Sequence, residues 1–326
     1  MKTTQFTFPS KDGRTILHAV RWSPDDGNYT AVLQITHGMV EYIERYAPFA
    51  KYLTDRGILV VGHDHLGHGH SVSGAAEYGF FAEKNPSDVL VADMHQLRTH
   101  IQKENPNLPY FMLGHSMGSF LLRKYLALHS EGVCGAIIMG TGYVSPAKSA
   151  MGLAVVHTMK AVLGSHHRSP LVQKMIYGRS YRGFDTNGKK PENSWLSRDV
   201  EMVKKYYSDP LCTFTFTLNG FQGLFEAAQF ACKQENAEKI PHDLPILLIS
   251  GGSDPVGDLG AGVEKVHQMY RKAGFTDLAC IFYKGARHEI LNEVNREQIF
   301  SDLFVCLSTQ VEAVEGLRHF PPVEEV

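Results

Sequence analysis

Short apolar runs alternate with helical patterns along most of this chain. Turn-forming residues bound each run, and the segments between runs repeat apolar side chains at helical spacing. Between 88 and 103, for example, Leu90, Met94, Leu97 and Ile101 fall on one face of a helix. Apolar strands that alternate with helices are typical of a mostly parallel sheet with helices on both faces. The predicted fold class is therefore α/β.

These patterns predict individual elements and a division of the chain. Strands are predicted at 32–36, 58–61, 110–113, 136–139, 245–250 and 279–283, after an opening hairpin of 6–9 and 15–22. Helices are predicted at 44–55, 88–103, 119–126 and 296–314, and a loose tail at 315–326. Between 143 and 243, apolar helical patterns and polar loops interrupt the alternation. We therefore expect a core in two parts, 1–142 and 244–326, with a cap inserted over 143–243.

The composition is that of an ordinary globular enzyme. At 326 residues and 43% apolar, the chain is long enough to bury a large core. A net charge of −2 gives no indication of a nucleic-acid partner. No run approaches the roughly 20 apolar residues that span a bilayer, and the first residues do not resemble a signal peptide. The five cysteines show no C-x-x-C spacing, so we expect free thiols and a cytoplasmic location.

The sequence Gly114-His115-Ser116-Met117-Gly118 is the first candidate for chemistry. It has the form G-x-S-x-G and lies between a predicted strand and a predicted helix. A strand, a sharp turn and a helix form a nucleophile elbow, which exposes a strained serine above the sheet. Side chains at 114 and 118 would collide with the neighbouring strand and helix, so glycine is needed there. The alternative is a glycine-rich turn that only caps a helix. A base and an acid that could activate Ser116 would favour the nucleophile elbow over such a turn.

Those partners are predicted downstream. A serine hydroxyl needs a base to accept its proton, and that base needs a carboxylate to orient it. Asp254 follows the predicted strand 245–250, and His288 follows the predicted strand 279–283. Like Ser116, both lie at the carboxyl end of a strand, and these ends share one edge of a parallel sheet. Asp243 and Asp258 also flank the first of these strands, but Asp243 precedes it and Asp258 lies further along the loop. Asp254 is the predicted acid.

Two backbone amides are candidates for an oxyanion hole. Acyl transfer passes through a tetrahedral intermediate whose oxyanion needs preorganised N–H donors. The amide of Met117, next to the serine, is one donor by the geometry of the elbow. The amide of Met39 is the second, because His37-Gly38-Met39 follows the predicted strand 32–36.

At this point the chain resembles the monoacylglycerol lipase and lysophospholipase group of α/β-hydrolases, also known as serine aminopeptidase-like hydrolases. The resemblance rests on motifs spread over nearly the whole chain: HGM at 37–39, DHLGHGHS at 64–71, GHSMG at 114–118, GGSDPVG at 251–257 and GARHEILNE at 285–293. It implies an α/β-hydrolase fold with a helical cap. It also implies Ser116 as nucleophile, His288 as base, Asp254 as acid, and Met39 and Met117 as oxyanion donors. One position departs from the family pattern: Val40 stands where many relatives have a second glycine.

The first part of the cap is rich in apolar residues. Between 147 and 163 the only charged residues are Lys148 and Lys160, and Met151, Val155 and Met159 are the candidate substrate-binding residues. A cap of this kind would form an apolar slot for an acyl chain and exclude water from the site. The alternative is that these side chains form only the cap's own core. Transient contact of the cap with a membrane surface is a further expectation.

The histidines of His63-Asp64-His65-Leu66-Gly67-His68 suggest a rival chemistry. Their H-x-H-x-x-H spacing is that of metallo-β-lactamase-type zinc ligands. In that family an aspartate precedes the third histidine, whereas this chain has Gly67. A zinc site also leaves the loops of Asp254 and His288 unexplained. Within a serine hydrolase the segment is the turn after a strand, with Asp64 and its neighbours bracing the oxyanion loop. If a chelator abolishes activity and added zinc restores that activity, the zinc-site interpretation is favoured.

The predicted function is therefore cleavage of carboxylic esters through an acyl-enzyme, with no metal and no cofactor. Monoacylglycerol or lysophospholipid-type lipids are the substrates that the resemblance implies. A short-chain or aromatic ester is the second candidate substrate, and an amide is the third. The motifs do not separate these substrates, because one catalytic centre serves all of them. A non-catalytic ligand-binding protein with this fold is the alternative of another class. The expected partner is a small-molecule ester, and the oligomeric state is left open.

Overall fold

A computed structural model describes residues 1–319, and within them the chain forms an eight-stranded sheet with helices around it. The strands are β1 (Lys2–Pro9), β2 (Ile16–Ser23), β3 (Ala31–Thr36), β4 (Ile58–His63), β5 (Tyr110–His115), β6 (Gly135–Met139), β7 (Ile246–Gly251) and β8 (Leu278–Tyr283). The α-helices are α1 (Ala47–Thr54), α2 (Pro86–Glu104), α3 (Met117–His129), α4 (Pro146–Leu163), α5 (Pro170–Ile176), α6 (Val200–Ser208), α7 (Leu218–Ala231), α8 (Gln234–Ala237), α9 (Ala261–Ala273) and α10 (Arg296–His319).

The sheet is mostly parallel, as the alternating pattern predicts. Its order is β1-β2-β4-β3-β5-β6-β7-β8, in which β2 pairs antiparallel with β1 and β4, and all other neighbours are parallel. Every residue of β3 to β7 is buried. Strands covered on both faces need continuous apolar runs, which is why these strands could be found from the sequence.

Two apolar clusters fill the two faces of the sheet. Alternate residues of each strand contribute to each cluster, so that Val32 packs on one face and Leu33 on the other. Helices α2, α3, α7 and α9 supply side chains to the first cluster, and α1 and α10 supply them to the second. The central strands are therefore fixed rigidly, and the loops at their carboxyl ends start from well-defined positions.

Helices α4 to α8 lie in the interval between β6 and β7, where the cap is predicted. Ser145 caps the start of α4 by accepting a hydrogen bond from the Lys148 amide (3.4 Å). Helix α7 packs against α2 and α3, and Phe221 and Ala227 belong to the main core cluster. The last part of the insertion therefore also covers one face of the sheet. The boundaries 1–142, 143–243 and 244–326 stay a prediction.

The two ends of the described chain extend further than the apolar pattern indicates. Strand β1 begins at Lys2, four residues before the predicted start at Phe6, because its pairing with β2 continues to Ser23. Helix α10 continues to His319, so the prediction of a loose tail is wrong for 315–319. The remainder of that predicted tail lies outside the described residues. None of the helices of residues 1–319 is long and apolar enough to cross a bilayer.

Candidate active site

Ser116 lies in the turn between β5 and α3 with the strained backbone of a nucleophile elbow. Its φ of 54° is positive, a conformation that residues with a side chain rarely adopt. A Cβ on Gly118 would collide with the carbonyl oxygen of Thr36 on β3, and a Cβ on Gly114 would collide with the carbonyl of Gly118. Both glycines are therefore needed so that the helix and the strands can approach around the serine.

The structure brings Ser116, His288 and Asp254 together in one hydrogen-bonded line. The His288 ring has its Nε2 2.8 Å from Ser116 Oγ and its Nδ1 2.9 Å from Asp254 Oδ2. Asp254 is fully buried, His288 is 2% exposed, and the Val256 amide donates to Asp254 Oδ1 (2.9 Å). An imidazole that donates its Nδ1–H to a carboxylate keeps Nε2 as an acceptor. This ring can therefore accept the serine proton.

The two other acids near β7 lie elsewhere. The side chains of Asp243 and Asp258 are exposed, whereas Asp254 is turned inward to His288. Asp243 precedes the strand, at the opposite edge of the sheet from Ser116. Asp258 lies in the loop with a positive φ of 52°. The geometry therefore favours Asp254 over both.

The backbone N–H groups of Met39 and Met117 lie near Ser116, and neither donates a hydrogen bond within residues 1–319. Met117 is the first residue of α3, so its N–H is one of those that a helix start leaves unpaired. Met39 lies in the loop after β3, and Gly38 before it approaches the serine so closely that a Cβ there would be 3.0 Å from Ser116 Cβ. Among residues 1–319, neither N–H has a protein acceptor. Two unpaired N–H groups beside one hydroxyl are what an oxyanion requires.

Val40, at the departure from the family pattern, adopts the left-handed conformation that glycine favours. Its φ is 56°, which is strained for a β-branched residue. Three contacts hold it there: its side chain is 8% exposed in the main core, its N–H donates to His68 Nε2 (3.2 Å), and its carbonyl accepts from the Tyr206 hydroxyl (3.1 Å). Tyr206 belongs to α6, so a helix from the interval between β6 and β7 helps to fix the loop that carries Met39.

We expect Tyr206→Phe to lower kcat by about 3- to 10-fold, because a buried hydrogen bond is worth about 1 kcal/mol and this one holds the oxyanion loop. Steady-state kinetics on a water-soluble ester measure the change. Tyr29→Phe is the matched control, since it removes a hydrogen bond of similar length (2.9 Å to Asn105) away from the loop. Equal kcat values for the two variants would contradict the role of Tyr206.

The histidine segment after β4 is hydrogen-bonded to the loop after β3 that carries Met39. The His65 amide donates to His37 Nε2 (2.9 Å), and Asp64 Oδ1 accepts from the Ile43 amide (2.8 Å). Burial lowers the pKa of His37, and it lowers that of His68 to about 3, so both rings are neutral acceptors. Of the three histidines with the zinc-type spacing, His68 uses its Nε2 lone pair to accept from the Val40 amide, whereas the ring nitrogens of His63 and His65 have no hydrogen-bond partner within residues 1–319. No cluster of His, Cys, Asp or Glu in residues 1–319 has a geometry that could hold a metal ion.

A buried ion pair lies directly behind the serine. His115 Nδ1 is 2.8 Å from Glu41 Oε1, which also accepts from the Gly38 amide (2.5 Å) and the Tyr46 hydroxyl (3.0 Å). Burial alone would lower the pKa of His115, but the Glu41 carboxylate raises it. Burial alone would raise the pKa of Glu41, but His115 and Arg45 hold it well below its usual range. The pair ties the elbow to the oxyanion loop.

Arg45 connects this pair to the loop of the catalytic histidine candidate. Its guanidinium donates to both carboxylate oxygens of Glu289 (2.8 and 2.7 Å) and to Glu41 Oε2 (3.1 Å). Glu289 directly follows His288 and is 6% exposed. The His115 Nε2 atom lies 3.3 Å from the carbonyl oxygen of His288. The three loops that carry the serine, the histidine and the oxyanion donor are thus joined by four buried ionisable groups.

Three polar residues between His288 and the last helix stabilise the histidine loop. They precede the helix closely, a position where side chains often act as caps. Glu289 instead pairs with Arg45, and Asn292 donates to Glu289 (2.9 Å). Glu293 is fully buried and accepts from the Arg287 amide (2.8 Å) and from Arg198 Nε (2.9 Å). These side chains therefore act on the histidine loop and do not cap the helix.

The three candidate substrate-binding residues of α4 differ in exposure. Met151 is 59% exposed, whereas Val155 and Met159 are partly buried and pack against the main core cluster. The buried face of α4 is formed by Ser149, Gly152 and Val156. Val155 and Met159 lie next to that face of the helix. Their contact with substrate stays a prediction.

The chain is similar to known proteins along most of its length. Residues 27–295 match the family model described as serine aminopeptidase, S33. The chain is 26% identical to the monoglyceride lipase of Rattus norvegicus over 303 residues, with 92% of this chain and 89% of the relative covered. The chain is 25% identical to the monoacylglycerol lipase of Mycolicibacterium smegmatis, with 92% of this chain and 95% of the relative covered. Among solved structures, a carboxyl esterase from Bacillus coagulans in complex with glycerol is similar at 27% identity, with a TM-score of 0.87 and coverage of 95% and 99%.

Proposed function

Because this chain belongs to the serine aminopeptidase, S33, family of α/β-hydrolases and is a serine ester hydrolase, we propose that it cleaves monoacylglycerol or lysophospholipid-type esters through an acyl-enzyme. The observation that carries the mechanism is the line of hydrogen bonds from Asp254 through His288 to Ser116. No metal or organic cofactor takes part in the proposed steps.

In the first step, Ser116 Oγ attacks the ester carbonyl while its proton moves to Nε2 of His288. The carbonyl oxygen becomes an oxyanion that accepts from the amides of Met39 and Met117, each worth about 3 kcal/mol of barrier. Asp254 holds the ring orientation and stabilises the imidazolium. His288 then protonates the departing alcohol, and the acyl group remains on the serine. A water molecule then attacks the acyl-serine ester while its proton moves to His288. The carboxylic acid leaves as His288 returns the proton to Ser116 Oγ.

The lipid substrate is supported by relatives and by the cap. The rat and mycobacterial relatives are named monoglyceride and monoacylglycerol lipases, and each is similar over most of both chains. The apolar side chains of Val155 and Met159 on α4 pack against the main core cluster, and such apolar surroundings suit an acyl chain better than a charged group. The carboxyl esterase similarity favours a second candidate, a carboxylesterase for smaller esters.

A substrate panel separates these candidates. Rates are measured on p-nitrophenyl esters from acetate to palmitate and on monoacylglycerol, with Ser116→Ala as the matched control. A kcat/KM that rises with acyl length and is high on monoacylglycerol supports the lipid assignment. An optimum at acetate or butyrate, with no release of fatty acid from monoacylglycerol, identifies the smaller-ester enzyme instead. Hydrolysis that persists in Ser116→Ala overturns the mechanism for both.

The outer surface of the cap supports transient contact with a lipid surface. The side chains of Val162 and Leu163 on α4 and of Leu171 on α5 are 78%, 48% and 59% exposed, and Met151 on α4 is also exposed. Exposed apolar side chains of helices favour the boundary between lipid headgroups and acyl chains.

We expect Val162→Glu to weaken binding to lipid vesicles by about 10-fold, because burying a valine is worth about 1.5 kcal/mol and a carboxylate resists burial. Vesicle co-sedimentation measures the binding, and activity on a water-soluble ester should not change. Val305→Glu on α10 is the matched control, since Val305 is 57% exposed outside the cap. If both variants bind vesicles as the wild type does, the cap does not contact lipid.

A further inference from the structure

Trp195, a residue of the predicted cap, covers the ring of His288. The two rings are nearly parallel, with an interplanar angle of 27° and centroids 5.0 Å apart. A second aromatic residue, Tyr181, packs on Trp195 at 5.6 Å, and Tyr177 packs on Tyr181 at 5.1 Å. Burial raises the pKa of Tyr181, and the nearby Asp254 carboxylate raises it further, so its hydroxyl stays neutral. A row of uncharged aromatic rings in contact, of which only Trp195 stacks on its neighbour His288, therefore extends from the predicted cap to the proposed base.

The backbone fixes this stack in place. The amide of His288 donates to the Trp195 carbonyl (3.3 Å), and the amide of Glu289 donates to the Leu196 carbonyl (2.7 Å). Arg287 also donates to the Ser197 carbonyl (3.2 Å). The segment that carries Trp195 thus runs alongside the histidine loop and is bound to it at several points. The Cα of Trp195 is therefore held next to the histidine loop, and the contact with Tyr181 packs the indole against the His288 ring.

Charge develops on His288 only during the reaction. The ring is neutral when it accepts the serine proton and becomes an imidazolium as the tetrahedral intermediate forms. An aromatic face within about 6 Å attracts a cation, and a tryptophan face does so most strongly. An interaction that strengthens only when the charge appears lowers the barrier without tightening substrate binding.

We propose that Trp195 is a positioning residue that stabilises the protonated ring of His288 through the face of its indole, a role that rests on the proposed function. The other groups that face His288 are the Asp254 carboxylate, the Ser116 hydroxyl and the ring of His115 at 4.7 Å. Asp254 attracts the imidazolium from one side, whereas a protonated His115 would repel it. Trp195 acts on the open face of the ring and keeps water away from it.

Fluorinated tryptophan tests this role without changing the shape of the side chain. The protein contains two tryptophans, and Trp22 is buried in β2 at 1% exposure. In a Trp22→Phe background, Trp195 is replaced by tryptophans carrying increasing numbers of ring fluorines, which weaken the negative face of the indole stepwise. We expect kcat to fall progressively, by about 3- to 10-fold across the series, with KM unchanged. Trp195→Leu should lower kcat by about 10-fold or more, and Trp195→Phe by less.

The outcomes separate this role from mere packing and from the proposed function. If kcat is constant across the fluorinated series, the charge interaction is refuted, even where Trp195→Leu is inactive through misfolding. Equal changes of kcat and KM would point to packing of the cap and also overturn the proposal. Each protein is also treated with a fluorophosphonate: a wild type that does not react at Ser116 refutes the proposed function, whereas a reactive series with constant kcat refutes only the role of Trp195.

Discussion

Replacing Asp254 with asparagine is expected to lower kcat by about 10⁴-fold while the protein stays folded. The amide of asparagine can donate to Nδ1 of His288, which favours the tautomer with its proton on Nε2. That nitrogen then faces Ser116 Oγ, 2.8 Å away, as a donor and cannot accept the serine proton. The imidazolium also loses the negative charge that stabilises it.

Steady-state kinetics with a p-nitrophenyl ester, together with the thermal unfolding midpoint, measure this effect. Asp258→Asn is the matched control, because the same change is made four residues further along the loop in an exposed side chain. We expect the control to keep the wild-type kcat. An Asp254→Asn variant with a kcat within tenfold of wild type would show that another group orients His288.

Arg45→Met is expected to lower the free energy of unfolding by about 3–5 kcal/mol. The Arg45 side chain is 11% exposed and neutralises two carboxylates, Glu41 and Glu289, whose side chains are 5% and 6% exposed. Removing the guanidinium leaves those carboxylates buried with one fewer partner. Chemical denaturation measures the change, and kcat should fall as well, since Glu41 holds the oxyanion loop through the Gly38 amide.

Lys51→Met is the control for that change. Lys51 pairs with Asp55 at 2.7 Å, but both side chains are largely exposed, and exposed pairs contribute little to stability. If Arg45→Met destabilises the protein no more than this control does, the buried network is not a stabilising feature of the site.

The pH dependence of the Arg45 effect follows from the shifted pKa values. Burial alone would raise the pKa of Glu41 and of Glu289, but their cationic neighbours hold both below the ordinary value of 4.5. Such groups contribute stability above that pH, and the contribution is lost as the pH falls toward the folded-state values. The difference between wild type and Arg45→Met should therefore shrink below about pH 4.5. The raised pKa of His115 acts in the opposite direction, with its contribution present below pH 6.5 and lost as the pH rises.

The parts of the site that the sequence predicts share one physical basis. Ser116, Asp254 and His288 each follow a buried apolar strand, and the carboxyl ends of parallel strands must lie at one edge. The collisions at Gly114 and Gly118 are local, so the elbow can be inferred from five residues. The two N–H donors follow from the helix start at Met117 and the loop after β3, which the same pattern places beside the serine.

The other parts depend on contacts between distant segments. Glu289 and Arg45 are 244 positions apart, and nothing near Glu289 distinguishes a buried ion pair from a helix cap. The only sequence signal was Glu41 and Arg45 at i and i+4, a spacing that is common on exposed helices. Trp195 comes from a loop between β6 and β7 with no regular periodicity, so its position over His288 could not be predicted without the fold. Helix α10 continues past the apolar pattern to His319, and the first residues of the sequence that exclude further helix are Pro321 and Pro322.

The central claim is that the hydroxyl of Ser116 is the nucleophile, activated by His288 and Asp254. Reaction with a fluorophosphonate, followed by peptide mass spectrometry, tests it most directly, because the reagent reports which atom attacks. We predict one phosphonyl adduct, on Ser116, that is absent from Ser116→Ala and forms far more slowly in His288→Ala. An adduct on another residue, or a wild-type protein that cleaves esters without forming any adduct, would contradict the account.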